Sequence, residues 1–137
     1  MSDQVCTAKR IDHVCIVVRD IEETVKFYQD VFGAPESQIE EIEDQGVKAV
    51  ILQLGNTDLE LIQPVREGTG VARFLESKGE GMHHIAFEVD DIKGKLDILK
   101  ERGMRLVDQE PRKGLAGTIA FLHPGSTGSV LLELVQK

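Results

Sequence analysis

The pentapeptide Leu59-Glu60-Leu61-Ile62-Gln63 returns as Leu132-Glu133-Leu134-Val135-Gln136, and each copy follows a strand-like segment that carries a histidine. His13 precedes Glu60 by 47 positions and His84 precedes Glu133 by 49. A chain built on such a repeat folds as two similar modules, here 10–64 and 81–136 joined by 65–80. Its 137 residues suit one domain, residues 1–137, in which the modules share a core.

The first module reads as strand, helix, strands. Asp12 to Val18 is β-branched and apolar, and Ile21, Val25, Tyr28 and Phe32 follow at helical spacing. Asp20 with Glu23 three residues later forms a capping-box pattern, and Gly33 with Pro35 gives the stop. Val47 to Leu54, the turn Gly55-Asn56 and Thr57 to Gln63 then read as a hairpin, with a short edge strand inside the acidic stretch 36–45. Val71, Phe74 and Leu75 predict a short helix in the connection. The second module repeats the plan: strand Met82 to Val89, helix Ile92 to Arg102 capped by Asp91 and stopped by Gly103, then strands near 105–107, 117–121 and 130–135. The order βαβββ, twice, makes the fold class α+β.

Strand parity places Glu60 on the face of Asp58 and Ile62, and Glu133 on the face of Leu131 and Val135. Both glutamates lie inside hydrophobic strands, where an uncompensated carboxylate costs several kcal/mol. Neither strand contains a lysine or arginine, while each module supplies a histidine in its opening strand. Two imidazoles and two carboxylates would neutralise a divalent ion, so His13, Glu60, His84 and Glu133 are the expected ligands of one metal. The mixed nitrogen and oxygen set favours cobalt, manganese, nickel or zinc over calcium. His83 adjoins His84 on the opposite strand face and is set aside, because the Ile85-Ala86-Phe87 that follows His84 matches the Val14-Cys15-Ile16 after His13. His123, before Pro124-Gly125, reads as turn chemistry.

Composition narrows the partners. A net charge of −8 disfavours nucleic acid and anionic membranes, and no apolar run is long enough to span a bilayer. Met1 to Arg10 has the character of neither a signal nor a transit peptide, which makes the cytoplasm the expected compartment. Cys6 and Cys15 are expected to be reduced thiols.

The motifs Ile11-Asp12-His13, Gly55-Asn56-Thr57 with Leu59-Glu60-Leu61, Gly79-Glu80-Gly81-Met82-His83-His84-Ile85-Ala86, and Phe121-Leu122-His123-Pro124 before Leu132-Glu133-Leu134 occur in order from Ile11 to Val135. In this the chain resembles the vicinal oxygen chelate superfamily and, within it, the methylmalonyl-CoA epimerases. The resemblance implies paired βαβββ modules in a curved sheet around a metal, usually cobalt-like, with ligands at His13, Glu60, His84 and Glu133, and a homodimer. It implies metal-dependent epimerisation of (2R)- and (2S)-methylmalonyl-CoA through an enolate, with Glu133 as one acid/base. Several members carry a second catalytic glutamate two residues after a Gly-Val pair; after Gly46-Val47 that position is Ala49. Glu43, Asp44, a metal-bound water or His123 could take the place of this second acid/base, and Glu43, in the neighbouring acidic loop, is the first candidate among them. Arg112 and Lys113, on a cationic, glycine-bearing loop, are candidates for holding a phosphate or carboxylate of the acyl-CoA. Three readings on the same scaffold compete: a glyoxalase I-type lactoylglutathione lyase, an extradiol dioxygenase, and a drug-sequestering binding protein. The motifs Gly81-Met82-His83-His84 and Phe121-Leu122-His123-Pro124 argue against the first, the extra carboxylate Glu60 against the second, and the scarcity of aromatics against the third.

Overall fold

The computed structural model describes residues 4–137; Met1–Asp3, part of the stretch tested for a targeting signal, lie outside it. The chain divides into two compact units, His13–His83 and a second formed by the residues up to Asp12 with His84–Lys137.

The first unit follows the predicted order. It contains β1 (Arg10–Val17, its opening residues lying in the other unit), α1 (Ile21–Phe32), β2 (Glu40–Ile42), β3 (Val47–Gln53), β4 (Asp58–Pro64) and α2 (Gly70–Lys78). β1 runs parallel to β4, while β3 is antiparallel to both β4 and β2. Alternation along the strands gives the two faces different partners. Val50, Leu52 and Leu61 pack with Ile21 and Val25 of α1, and each fully buried aliphatic chain of this kind contributes roughly 1.5–3 kcal/mol. On the opposite face Cys15, Val17, Ala49 and Ile62 meet Val71, Phe74 and Leu75 of α2. The segment expected to be a connection thus builds part of this core.

Side chains start the helix at two amides. Asp20 accepts from the Glu23 amide at 3.1 Å, and Gln63, last residue of the repeated pentapeptide, accepts from the Ile21 amide at 2.9 Å. Gly33 ends the helix with φ of 68°, a left-handed conformation that glycine adopts at little cost.

In the second unit β5 (Gly81–Glu88), α3 (Ile92–Glu101), β6 (Arg112–Lys113), β7 (Thr118–Leu122) and β8 (Leu132–Gln136) repeat the plan. β5 pairs parallel with β8, β8 antiparallel with β7, and β7 with β6. Ala120, Leu122 and Leu134 pack on Ile92, Leu96 and Leu99 of α3, and Ala86, Ile119 and Val135 form the core of the other face. Gln136 accepts from the Ile92 amide at 2.9 Å, the counterpart of Gln63. The arm before β1 belongs here: the Lys9 amide donates to the Glu88 carbonyl, Arg102 donates to the Gln4 carbonyl, and Cys6 packs on the α3 core.

One strand lies away from its predicted place. Residues 105–107 form only a single bridge, Leu106 with Leu122, and the paired strand falls at 112–113. Asp108 explains the shift, because its carboxylate takes the Phe121 amide at 2.8 Å where a ladder carbonyl would stand. The last strand begins at Leu132 rather than 130, after a turn in which Thr127 hydroxyl donates to the Val130 carbonyl.

Candidate metal centre and acid/base site

β4 carries Glu60 opposite Cys15 of β1 and Ile51 of β3. The same parity puts His13, Cys15, Glu60 and Ile62 on the face covered in part by α2, and sends Leu59 and Leu61 into the α1 core. His13 and Glu60 are buried, and His13 Nε2 lies 3.7 Å from Glu60 Oε1. The second unit repeats this arrangement. β8 sets Glu133 opposite Ala86 and Phe121, both Glu133 and His84 are buried, and their Nε2–Oε1 separation is 3.5 Å.

These separations bear on whether the donors suit an ion. They exceed a good nitrogen–oxygen hydrogen bond. They are close to the ~3.0–3.5 Å between two donors that share one divalent ion at ordinary bond lengths and angles. Buried imidazole nitrogen beside buried carboxylate oxygen, in each unit, fits a borderline divalent metal and not an oxygen-only ion.

His83 is only partly buried. Its ring meets Phe74 of α2 edge-on, with centroids 5.0 Å apart. Burial pushes its imidazole below the usual histidine range, and the Lys78 ammonium adds to that. His123 caps a short 3-10 turn, Pro124–Ser126: its Nδ1 accepts the Gly125 amide at 2.9 Å, as the turn reading expects.

The two acid/base candidates are placed unequally. Glu133 lies within the buried face just described. Glu43 is exposed in the turn between β2 and β3, where its carbonyl accepts from Arg66 at 2.6 Å. β3 begins opposite Pro64, four residues beyond Glu60 on β4, or ~13 Å at the usual strand rise. The structure therefore does not bring Glu43 to Glu60. Ala49, where some relatives have a glutamate, is buried and shares the Glu60 face with Ile51.

Arg112 and Lys113 form β6, both exposed at the edge of the second unit. Arg112 pairs with Ile119, so it rises on the His84–Glu133 face, with its guanidinium 5.7 Å from the centre of the Phe121 ring. The following loop closes through the Gly114 amide and Gly117 carbonyl; a Cβ at Gly117, whose φ is 146°, would stand 2.5 Å from the Gln136 carbonyl.

Four supporting residues escaped the sequence reading. Gln63 and Gln136 had a visible signal, since both belong to the repeated pentapeptide. Asp12, 1% exposed, accepts from Arg10 at 3.0 Å and from Lys137 at 3.1 Å, tying the start of β1 to the end of β8. Its only signal was adjacency to His13. Asp108 had none.

Comparison with known proteins agrees with the geometry. Residues 12–121 match the family model of the Glyoxalase/Bleomycin resistance protein/Dioxygenase superfamily. The mitochondrial methylmalonyl-CoA epimerase of Homo sapiens is 40% identical over 93% of this chain and 73% of that protein. An ethylmalonyl-CoA/methylmalonyl-CoA epimerase of Cereibacter sphaeroides is 39% identical over 93% of this chain and 97% of that protein. A solved methylmalonyl-CoA epimerase in complex with methylmalonyl-CoA and ammonium superimposes with a TM-score of 0.89 at 37% identity, covering 96% of each chain. With its two βαβββ modules in the vicinal oxygen chelate fold, the chain belongs to the Glyoxalase/Bleomycin resistance protein/Dioxygenase superfamily and, within it, to the methylmalonyl-CoA epimerase family.

Proposed function

We propose that this chain epimerises methylmalonyl-CoA by removing the C2 proton and returning one to the opposite face of a planar enolate. The observation that carries the reading is the buried His–Glu pair repeated on the same strand face of each unit, in a chain of this family. The names of relatives at 39–40% identity support the substrate.

His13, Glu60, His84 and Glu133 are the ligands of one divalent metal, cobalt first, with manganese, nickel or zinc as alternatives. When bound, the metal supplies Lewis acidity toward the thioester oxygen, where negative charge gathers as C2 is deprotonated. Glu133 moves the proton at C2. Its carboxylate is buried on the strand face that also carries Val135, Ile119 and Ala86, and such burial suits transfer to a carbon acid. Inversion needs a second group. Glu43 is the carboxylate assigned from the sequence, but it lies on an exposed turn. A Glu43→Ala variant with activity within threefold of wild type would leave delivery from water on that face; a loss beyond tenfold would make Glu43 the donor.

Arg112 and Lys113 receive the anionic part of the acyl-CoA. Among the described residues no helix is long and apolar enough to cross a membrane. Cytoplasmic location, a homodimer, one domain over residues 1–137, and the absence of nucleic-acid or membrane partners complete the proposal; they rest on the sequence and the family resemblance.

The deciding experiment incubates cobalt-loaded protein with one C2 epimer in deuterated water and follows deuterium by mass spectrometry, with stereochemistry read by a stereospecific mutase. Metal-dependent exchange with racemisation is expected, and the label in each epimer separates one base from two. Metal binding without exchange would overturn the epimerase reading and turn attention to glutathione hemithioacetals; absence of metal binding would favour a sequestering role.

A further inference from the structure

The two repeats are alike at the His–Glu pairs and unlike one step away. In the first unit the β3 residue opposite Glu60 is Ile51, and the edge-strand residue paired with Ala49 is Glu40. In the second, Phe121 lies opposite Glu133, and the edge-strand residue paired with Ile119 is Arg112. An acid on one side is replaced by a cation and an aromatic ring on the other.

The cation is held in place. Asp108, with 16% of its side chain exposed, accepts from Arg112 Nε at 3.1 Å and from the Phe121 amide at 2.8 Å. The Val107 and Asp108 amides return bonds to the Phe121 carbonyl at 3.0 and 3.2 Å. One carboxylate thereby fixes both the strand position of Phe121 and the direction of the guanidinium above its ring, which is within cation–π reach. The Phe121 ring in turn meets His84 edge-on, with centroids 5.0 Å apart at 86°. With Asp108 occupying Nε, the terminal nitrogens of Arg112 keep the fork that matches a carboxylate.

We propose that Arg112 binds the free carboxylate of the malonyl group and that Asp108 is its positioning residue, so that this pair selects 2-carboxyacyl thioesters over simple acyl thioesters. The inference rests on the epimerase reading. A phosphate of coenzyme A offers the same anionic oxygens, but the pantetheine arm sets the diphosphate many bonds from C2, whereas the carboxylate is bonded to C2 itself. Arg112 lies one aromatic ring from His84, which favours the carboxylate. It also makes the two repeats unequal at this register, where the first has Glu40 and the second Arg112.

The test measures binding by calorimetry, together with turnover, for metal-loaded wild type, Arg112→Ala, Arg112→Lys and Asp108→Asn. The last keeps an oxygen for the Phe121 amide and removes the charge that aims Arg112. Three ligands separate the sources: methylmalonyl-CoA, methylmalonyl-pantetheine without phosphates, and propionyl-CoA without the free carboxylate. Arg112→Ala is expected to weaken the first two at least tenfold and leave propionyl-CoA within twofold. Asp108→Asn should raise KM fivefold or more with kcat within twofold and an unchanged melting temperature, and Arg112→Lys should recover part of the loss. Weakening of both coenzyme A ligands but not of the pantetheine would assign Arg112 to phosphate and overturn the carboxylate assignment. Equal binding of all three ligands by wild type and variants would overturn it as well. A fall in kcat and melting temperature with KM unchanged in Asp108→Asn would reduce Asp108 to a structural role. A wild-type protein that neither binds nor exchanges methylmalonyl-CoA would instead bring down the epimerase reading, and this inference with it.

Discussion

Glu133 combines two demands that favour different surroundings: a metal ligand wants a fixed carboxylate, and an acid/base wants one that can carry a proton. Its place on β8, where the flanking Leu132 and Leu134 turn to the α3 core and Val135 shares its own face, buries the carboxylate within a regular strand. Glu133→Gln keeps the volume and removes the basicity. It is expected to lower kcat below one-hundredth of wild type while circular dichroism and melting temperature stay the same, and retained activity above that level would take Glu133 out of the acid/base role. The neighbouring histidines give a sharper residue test. His84→Ala should remove most bound metal, because His84 is the imidazole set against Glu133 at 3.5 Å. His83→Ala should leave metal content intact and cost about 1 kcal/mol of stability through the lost ring contact with Phe74. Full metal occupancy in the His84 variant, measured by elemental analysis, would refute the ligand assignment.

The repeated pentapeptide shows how one sequence unit sets both a site and the helix beside it. Its glutamate faces the site, its leucines fill the core against α1 or α3, and its glutamine turns to the first amide of that same helix, Ile21 or Ile92. That amide is one of the orphan donors at a helix start, so Gln63→Ala and Gln136→Ala should each destabilise the protein by about 1 kcal/mol. The drop in melting temperature would be roughly 3–5 °C for a chain of this size. Glutamate at either position should retain or raise stability, since a carboxylate accepts the same bond and suits the positive end of a helix; a loss equal to that of alanine would rule out the capping role. Helices α1 and α3, and the strands carrying His13, Glu60, His84 and Glu133, were legible because capping residues, period and repetition all agreed there. β6 was not. It is two residues long, and its position depends on Asp108 replacing a ladder carbonyl, a contact 13 residues apart in sequence that no local pattern announces.

Repetition in a single chain also allows a prediction about the molecule as a whole. The sequence modules were read as 10–64 and 81–136, yet the compact units part between Asp12 and His13 and again between His83 and His84. The reason is physical: Asp12 is neutralised by Arg10 and Lys137, and the preceding residues pair with Glu88 and pack on α3, so the start of the first module is tied to the second repeat. Sequence similarity marks ancestry of the parts, whereas these ion pairs and packing decide which parts cohere. The proposal of one metal with ligands from both repeats makes a claim that each His–Glu pair alone would not. One ion per chain should bind, and at a free metal concentration one hundred times the Kd it should raise stability by about 2.7 kcal/mol, since it binds the folded form. His13→Ala and His84→Ala should each abolish both the stoichiometric ion and that stabilisation, with the double variant no worse in metal affinity than either single one. Two independent sites would instead bind two ions per chain, and each single variant would keep one of them together with its share of the thermal shift. Calorimetric titration with cobalt, followed by thermal unfolding with and without the metal, distinguishes these outcomes in four proteins: wild type, two single variants and the double.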